Sequence, residues 1–345
     1  MSRTQPFVIV TEDLHWADPS TLELIQLLVE QGAISSLMLL YTARPEFKTP
    51  WPMRSHHVQI TLNRLGSREV REMIAQVAAQ KALPDQTVAT VVVRTGGVPL
   101  FVEELTRAVL ERGGDSANRE IPATLHDSLM ARLDRLGAAK EVAQIAAVIG
   151  REFSYELLHA VHQAAEMDLQ SALAKLAEAE LVYTRGMPPE ATYTFKHALI
   201  QDAAYEALLR ARRKDLHRIV ARTIAEQFPV INETHPEVLA RHWTEAGETE
   251  HAIRAWQKAA ERATARSAYA EAISQATQGL ELLNTLPVTS DRARKELIFQ
   301  TTLAHALTAT GGWADPGAGK AFAQCVELCQ RLGDSVHFFL ALYGS

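Results

Sequence analysis

Cysteine is scarce in this chain of 345 residues: Cys325 and Cys329 are the two it has. Four apart in "FAQCVELCQRL", they share a helical face with Phe322, Leu328 and Leu332. That pattern reads as two small core residues in a reducing cytoplasm, not as a disulfide framework. A metal site would need two more ligands at suitable spacing, and only His337 lies close downstream. No run of about 18 apolar residues occurs, which argues against a membrane-spanning helix. Met1 to Val10 has one Arg and no long apolar core, so it is not a secretory signal. Charge of one sign is also missing. Basic residues number 35 against 41 acidic ones, a net charge of −6 that does not point to nucleic acid or an anionic membrane. Gly-x-Ser-x-Gly, His-Glu-x-x-His and Cys-x-x-Cys are all absent, which removes their hydrolase, metalloprotease and redox chemistries.

The length of 345 residues suggests two or three domains. "FVIVT" is an apolar run, "STLELIQLLVEQG" has helical periodicity up to Gly32, and "LMLLYTARP" is a second buried run. "HHVQITL" reads as a third, weaker strand. Continuous apolar strands separated by a helix imply a parallel sheet. From Ser67 the chain turns helical. "SREVREMIAQVAAQ" opens with a Ser cap, and two further helices end in paired glycines, Gly96–Gly97 and Gly113–Gly114. "SANREIP" reads as a linker, with Pro122 starting the next part.

Helical segments "ATLHDSLMARLDRLG", "AAKEVAQIAAVIG" and "MDLQSALAKLAEAE" come next. "LVYTRGMPPEATYTF" then reads as two short strands joined by a Pro-Pro turn, and a long helix in two pieces closes the part at Phe228. Helices followed by a β-hairpin make a winged-helix arrangement. The remainder is alanine-rich and helical. Ala252, Trp256 and Ala259 follow the pattern of tetratricopeptide second helices, and Ala272, Ala276 and Gly279 repeat the spacing. The two copies lie about 20 residues apart rather than about 34, so they are adjacent helices or degenerate repeats.

The chemistry concentrates in "VIVTEDLHWADPSTLELI". Phosphoryl transfer needs a metal opposite the phosphates and a carboxylate that orients the attacking water. A strand's carboxyl end holds both rigidly. Glu12 would face magnesium and Asp13 the water, while Asp18 or Ser20 caps the helix that follows. Two acids alone read equally well as a strand-to-loop exit. Basic residues Arg210, Arg212, Arg213, Lys214 and Arg218 read as a solvated helix face, and His56 and His57 as surface residues. Trp16 and Trp243 read as packing residues.

The whole string closely resembles the Walker B segment of AAA-type signal-transduction ATPases of the STAND class. It is most similar to the branch fused to adenylate/guanylate cyclases, with MalT-like LuxR-type regulators as relatives. "LMLLYTARPEF" resembles the sensor 1 strand, which would aim Arg44 at the γ-phosphate. "RTGGVPLFVEELTRAVLE" resembles the Gly-x-Pro motif, implying that Gly97 and Pro99 pack near the adenine. "YTFKHALIQDAAYEALL" resembles the winged-helix part, where His197 would sense the β-phosphate.

Two departures stand against this. Glu12 occupies the place of the usual Asp, and the Walker A loop is absent. "GGWADPGAGKAF" does not replace it, since Ala314 stands where Gly is needed and Ala321 where Ser or Thr should hold magnesium. A phosphate loop's charge-assisted bonds are each worth about 1.5–3 kcal/mol. Losing three or four costs roughly 5–10 kcal/mol, about four to seven decades of affinity. The chain alone is therefore not expected to be a competent ATPase. In the resembled sheet the loop's strand lies beside sensor 1, so its lack would leave "LMLLYTA" next to a vacancy, as in a fragment or a gene model started too late.

The expected fold is mainly α with a small N-terminal α/β part: a partial P-loop-type parallel sheet, a helical and winged-helix domain, and an α-solenoid. The expected domains are 1–66 (Walker B and sensor 1), 67–118 (helical lid), 119–230 (winged helix) and 231–345 (tetratricopeptide-like repeats). The expected function is that of a regulatory piece of a signalling ATPase, switched by nucleotide and contacting a protein partner through its repeats. ATP or ADP with Mg²⁺, held at Glu12 and Asp13, is the expected cofactor of the intact parent protein, with none for this chain alone as the alternative. No cyclase domain lies in the chain. A nucleotide-independent helical scaffold and part of a LuxR/MalT-like transcription regulator are the rival readings.

Overall fold

The computed structural model describes residues 5–31, 36–79, 81, 83–111, 124–163 and 165–333. The chain forms two compact units: residues 1–59 with 230–244 and 248–345, and residues 60–229 with 245–247. The Gly32 and Gly113–Gly114 helix stops, the linker to Pro122, and His337 lie outside the described residues.

Strand β1 (Phe7–Thr11) pairs in parallel with β2 (Leu37–Tyr41), from Phe7↔Leu37 to Thr11↔Tyr41. Helix α1 (Pro19–Gln31) connects them in sequence. Asp18, not Ser20, caps it: the Thr21 N–H donates to Asp18 Oδ1 at 2.8 Å and the Thr21 hydroxyl to Oδ2 at 2.6 Å. Pro19 is the first helical residue, where its missing N–H costs nothing. One side of the strand pair packs with α1: Leu39 and Tyr41 join Leu14, Ile25, Val29 and Trp51 in a cluster. The opposite side is bare. Val8, Val10, Met38 and Leu40 are 56%, 58%, 59% and 49% exposed, although parallel strands are normally covered on both faces.

The third strand expected at "HHVQITL" does not form. No partner strand pairs with it among the described residues, and Val58, Ile60 and Leu62 are exposed. A strand exists through the N–H and C=O groups of its neighbour, so apolar composition alone cannot make one.

In the second unit α2 (Ser67–Ala78), α3 (Asp85–Thr95) and α4 (Pro99–Glu111) enclose Val70, Ile74, Val91, Phe101, Val102 and Leu105. Gly66 occupies the N-cap of α2, so Ser67 is its first helical residue and not the cap. Helix α3 ends at Gly96 in the left-handed conformation. Then follow α5 (Leu125–Arg135), α6 (Ala138–Ile149), β3 (Glu152–Ser154), α7 (Tyr155–His162), α8 (Glu166–Glu178), β4 (Val182–Arg185) and β5 (Thr192–Phe195). The antiparallel sheet has the order β3-β5-β4. A cis peptide joins Pro188 and Pro189 in the turn between β4 and β5. The helices followed by a β-hairpin that the sequence suggested are present, and β3 and α7 are added to them. Helices α9 (Ala198–Glu206) and α10 (Arg210–Gln227) are the two pieces of the closing helix.

Helices α11 (Pro229–Thr234), α12 (Pro236–Ala246), α13 (Thr249–Ala265), α14 (Tyr269–Leu283), α15 (Ser290–Gly311) and α16 (Pro316–Leu332) complete the chain order. Helices α13 to α16 pack each on the next. The two copies of the alanine pattern fall on the adjacent helices α13 and α14, and Ala252, Ala259, Ala272 and Ala276 are all buried. Cys325 and Cys329 are buried with Ala293, Leu297 and Leu328. The "ADPGAGK" segment starts a helix: Asp315 accepts N–H bonds from Gly317 and Ala318 at 2.8 and 2.9 Å and caps α16.

Gly279 shows why small residues recur here. A Cβ at this position would lie 2.3 Å from ring carbons of the fully buried Phe299 on α15. Gly279→Val is expected to destabilise the repeat helices by about 1–3 kcal/mol through overpacking. Gly319→Ala, on α16 with open space around it, should instead be neutral or gain up to ~1 kcal/mol of helix propensity. Denaturation midpoints of the two variants check the contrast.

Candidate functional site

In-register parallel pairing brings the carboxyl ends of β1 and β2 to one edge, where both loops begin. Backbone and side-chain bonds join the loops there. The Thr42 N–H donates to the Thr11 carbonyl at 3.0 Å and the Leu14 N–H to the Thr42 carbonyl at 2.8 Å. The Asp13 N–H donates to the Thr42 hydroxyl oxygen at 3.0 Å. On the same edge the Arg44 N–H reaches His15 Nδ1 at 3.4 Å. Thr42 and His15 were missed by the sequence reading. A hydroxyl residue directly after the strand, in "YTARP", was the available signal for Thr42.

Glu12 is exposed and Asp13 half-buried. Asp13 adopts φ 55°, a left-handed conformation that Asp tolerates better than most residues because its short carboxylate can bond locally. Arg44 is exposed, and its guanidinium carbon lies 5.6 Å from the centroid of the Trp16 ring. Trp16 is itself half-exposed, which corrects its reading as a packing residue: the ring carries a cation on its face. Trp243 is buried as expected. Thus Glu12, Asp13 and Arg44 emerge from the same edge of one two-stranded sheet. Magnesium is commonly held by one or two carboxylates with substrate phosphates supplying the rest. Glu12 and Asp13 fit that half of a site, whereas this sequence has no loop to cradle a triphosphate. No group of three or more His, Cys, Asp or Glu that could hold a metal occurs among the described residues.

Gly97, Pro99 and His197 belong to the second unit. Gly97 has φ +76°, its carbonyl accepts the Leu65 N–H at 2.8 Å, and a Cβ there would sit 2.1 Å from the Leu65 carbonyl oxygen. Only glycine fits. Pro99 is the first residue of α4. His197 is the N-cap residue of α9 and makes no side-chain cap bond. Burial, assisted by the neighbouring Lys196 cation, holds its imidazole below the ordinary histidine pKa and favours the neutral form.

Charged side chains in this unit form two sets on α4. Glu104 pairs with Arg132 of α5, both buried, and Arg132 also donates to the Ala179 carbonyl. Next to it, Glu103, Arg107, Glu180 and Lys196 close a ring of alternating charge with contacts of 2.9–3.1 Å. Burial works to raise the Glu103 carboxyl, but the Lys196 and Arg107 cations outweigh it and its pKa lies below the ordinary value. The hydrogen bond from Lys196 does the same for Glu180. On α10, Arg212 pairs with Glu141, Arg218 with Asp215, and Arg213 lies over the Tyr205 ring. The basic cluster is therefore largely engaged within the fold. A surface hollow of about 340 Å³ lined by Lys140, Glu141, Leu208 and Arg212 contains none of the candidate residues.

No family model matches the chain. An uncharacterized protein of Rhizobium meliloti (strain 1021) is 29% identical over 340 residues, covering 95% of this chain and 33% of that protein. The chain spans about a third of that relative's length. Among solved structures, a STAND signal-transduction ATPase with a tetratricopeptide-repeat sensor from Pyrococcus horikoshii is similar at a TM-score of 0.45 and 13% identity, over 98% of this chain and 52% of that one. A score of that size does not establish a shared fold. No helix among the described residues is long and apolar enough to cross a membrane.

Proposed function

We propose that this chain is the regulatory part of a larger ATP-binding signalling protein: a nucleotide-dependent switch joined to a helical module that contacts a protein partner. The supporting observation is the shared sheet edge, where Glu12, Asp13 and Arg44 emerge side by side from in-register parallel strands. In this reading Glu12 binds magnesium, Asp13 holds the attacking water, and Arg44 meets the γ-phosphate. The exposed face of Val8, Val10, Met38 and Leu40 supports it too, since a nucleotide-binding sheet needs more cover than this chain provides. Gly97, Pro99 and His197 are assigned to the adenine and the β-phosphate on the family resemblance alone. An attached cyclase as the output, and a cytoplasmic location, rest on that resemblance as well.

The deciding measurement is binding of a non-hydrolysable ATP analogue with magnesium. It compares this chain with the same chain extended upstream in its own reading frame. Saturable binding is expected in the extended form only, with a difference of about four to seven decades. In the extended form, Asp13→Asn should lower hydrolysis by about 10²–10⁴-fold while binding persists. Absence of binding in both forms overturns the reading. It would leave the second one, a nucleotide-independent scaffold, which the continuous stack α13 to α16 favours.

A further inference from the structure

Glu180 is a glutamate in a place that favours glycine. It follows the end of α8 with φ 52°, a left-handed conformation that is unfavourable for a residue with a side chain. Its side chain explains the choice. The Glu180 carboxylate accepts from Arg107 Nη1 and Nη2, at 3.0 and 2.9 Å, and from Lys196 Nζ at 3.0 Å. Lys196 and Arg107 in turn both reach Glu103, each at 3.1 Å. The ring therefore ties α4 to two junctions of the antiparallel sheet, the α8–β4 turn and the β5–α9 turn.

The neighbouring Glu104–Arg132 pair differs in one physical respect. Its side chains are 4% and 8% exposed, whereas those of Glu103, Arg107, Glu180 and Lys196 are 20%, 30%, 47% and 17% exposed. Salt screens a buried pair much less than a partly solvated ring. The apolar core of α2, α3 and α4 is largely self-contained, with Leu125 of α5 packed against it.

We propose that the Glu103–Arg107–Glu180–Lys196 ring is a releasable latch: it clamps α4 to the winged-helix sheet and opens while Glu104–Arg132 stays closed as the fixed point. The role is independent of nucleotide, so its failure and the failure of the ATP reading are separable.

Hydrogen–deuterium exchange of the whole chain tests it, comparing peptides from α4 with peptides from α6. Glu180→Gln is expected to speed exchange in α4 at least tenfold and leave α6 unchanged. Glu180→Asp, which keeps the negative charge between Arg107 and Lys196, should retain most of the protection. In the unaltered protein, raising NaCl from 0.05 to 1 M should reproduce the effect of Glu180→Gln. Unchanged exchange in α4 in both the variant and high salt overturns the latch. So does a parallel rise in α4 and α6, which would make the ring one part of a single cooperative core.

Discussion

Glu104→Ala is expected to destabilise the unit of residues 60–229 by about 3–5 kcal/mol, because it leaves the Arg132 guanidinium buried with no countercharge. The cost comes from desolvation more than from the lost attraction. Arg132 keeps its bond to the Ala179 carbonyl, which is neutral and cannot offset the charge. In exchange measurements this corresponds to about 10²–10⁴-fold lower protection in α5 and α6. Glu104→Met with Arg132→Met should recover most of the loss, since a buried ion pair is often replaceable by apolar groups of similar volume. A single variant with less than tenfold loss would mean that water reaches Arg132. All five tryptophans lie outside residues 60–229, so tryptophan fluorescence will not report on this unit and exchange is the suitable readout.

Gly97→Ala carries the second large expected effect, about 2–5 kcal/mol. Roughly 1–2 kcal/mol comes from a left-handed conformation with a side chain, and about 1–3 from overpacking. The obstacle is the Leu65 carbonyl oxygen, at 2.1 Å from the added Cβ, and backbone cannot rotate away as a side chain can. Gly96→Ala is the control. It has φ +53° but meets only the tip of the Arg64 side chain at 3.3 Å, so its cost should be limited to about 1–2 kcal/mol. Protection of α2 and α4 against exchange separates the two. The comparison also bears on function. The fold requires glycine at position 97 by itself, so loss of activity in Gly97→Ala says nothing about adenine. Glu12 and Arg44 are exposed and Asp13 is half-buried, so substitutions there test chemistry with little disturbance of packing.

Much of the local structure is legible in the sequence because it is decided within a few residues. Asp18 and Pro19 start α1, Gly96 stops α3, and two strands flank the Pro188–Pro189 turn for reasons contained in the local dihedral preferences. The alanine spacing likewise marks the close-packed faces of α13 and α14. Strand β3 and helix α7 escaped because three and eight residues are too few to show a period.

The sequence by itself therefore determined the order of strand, acids and helix, the cap at Asp18 and the stop at Gly96, and which faces of α13 and α14 are apolar. Tertiary structure alone decided the register that sets Glu12 and Asp13 beside the loop of Arg44, the cation over Trp16, the ring that engages Glu180, and the failure of "HHVQITL" to become a strand. The reason is common to all four. Dihedral preferences and periodicity act between near neighbours in the chain. Strand pairing, charge pairing and burial depend on groups that only folding brings together.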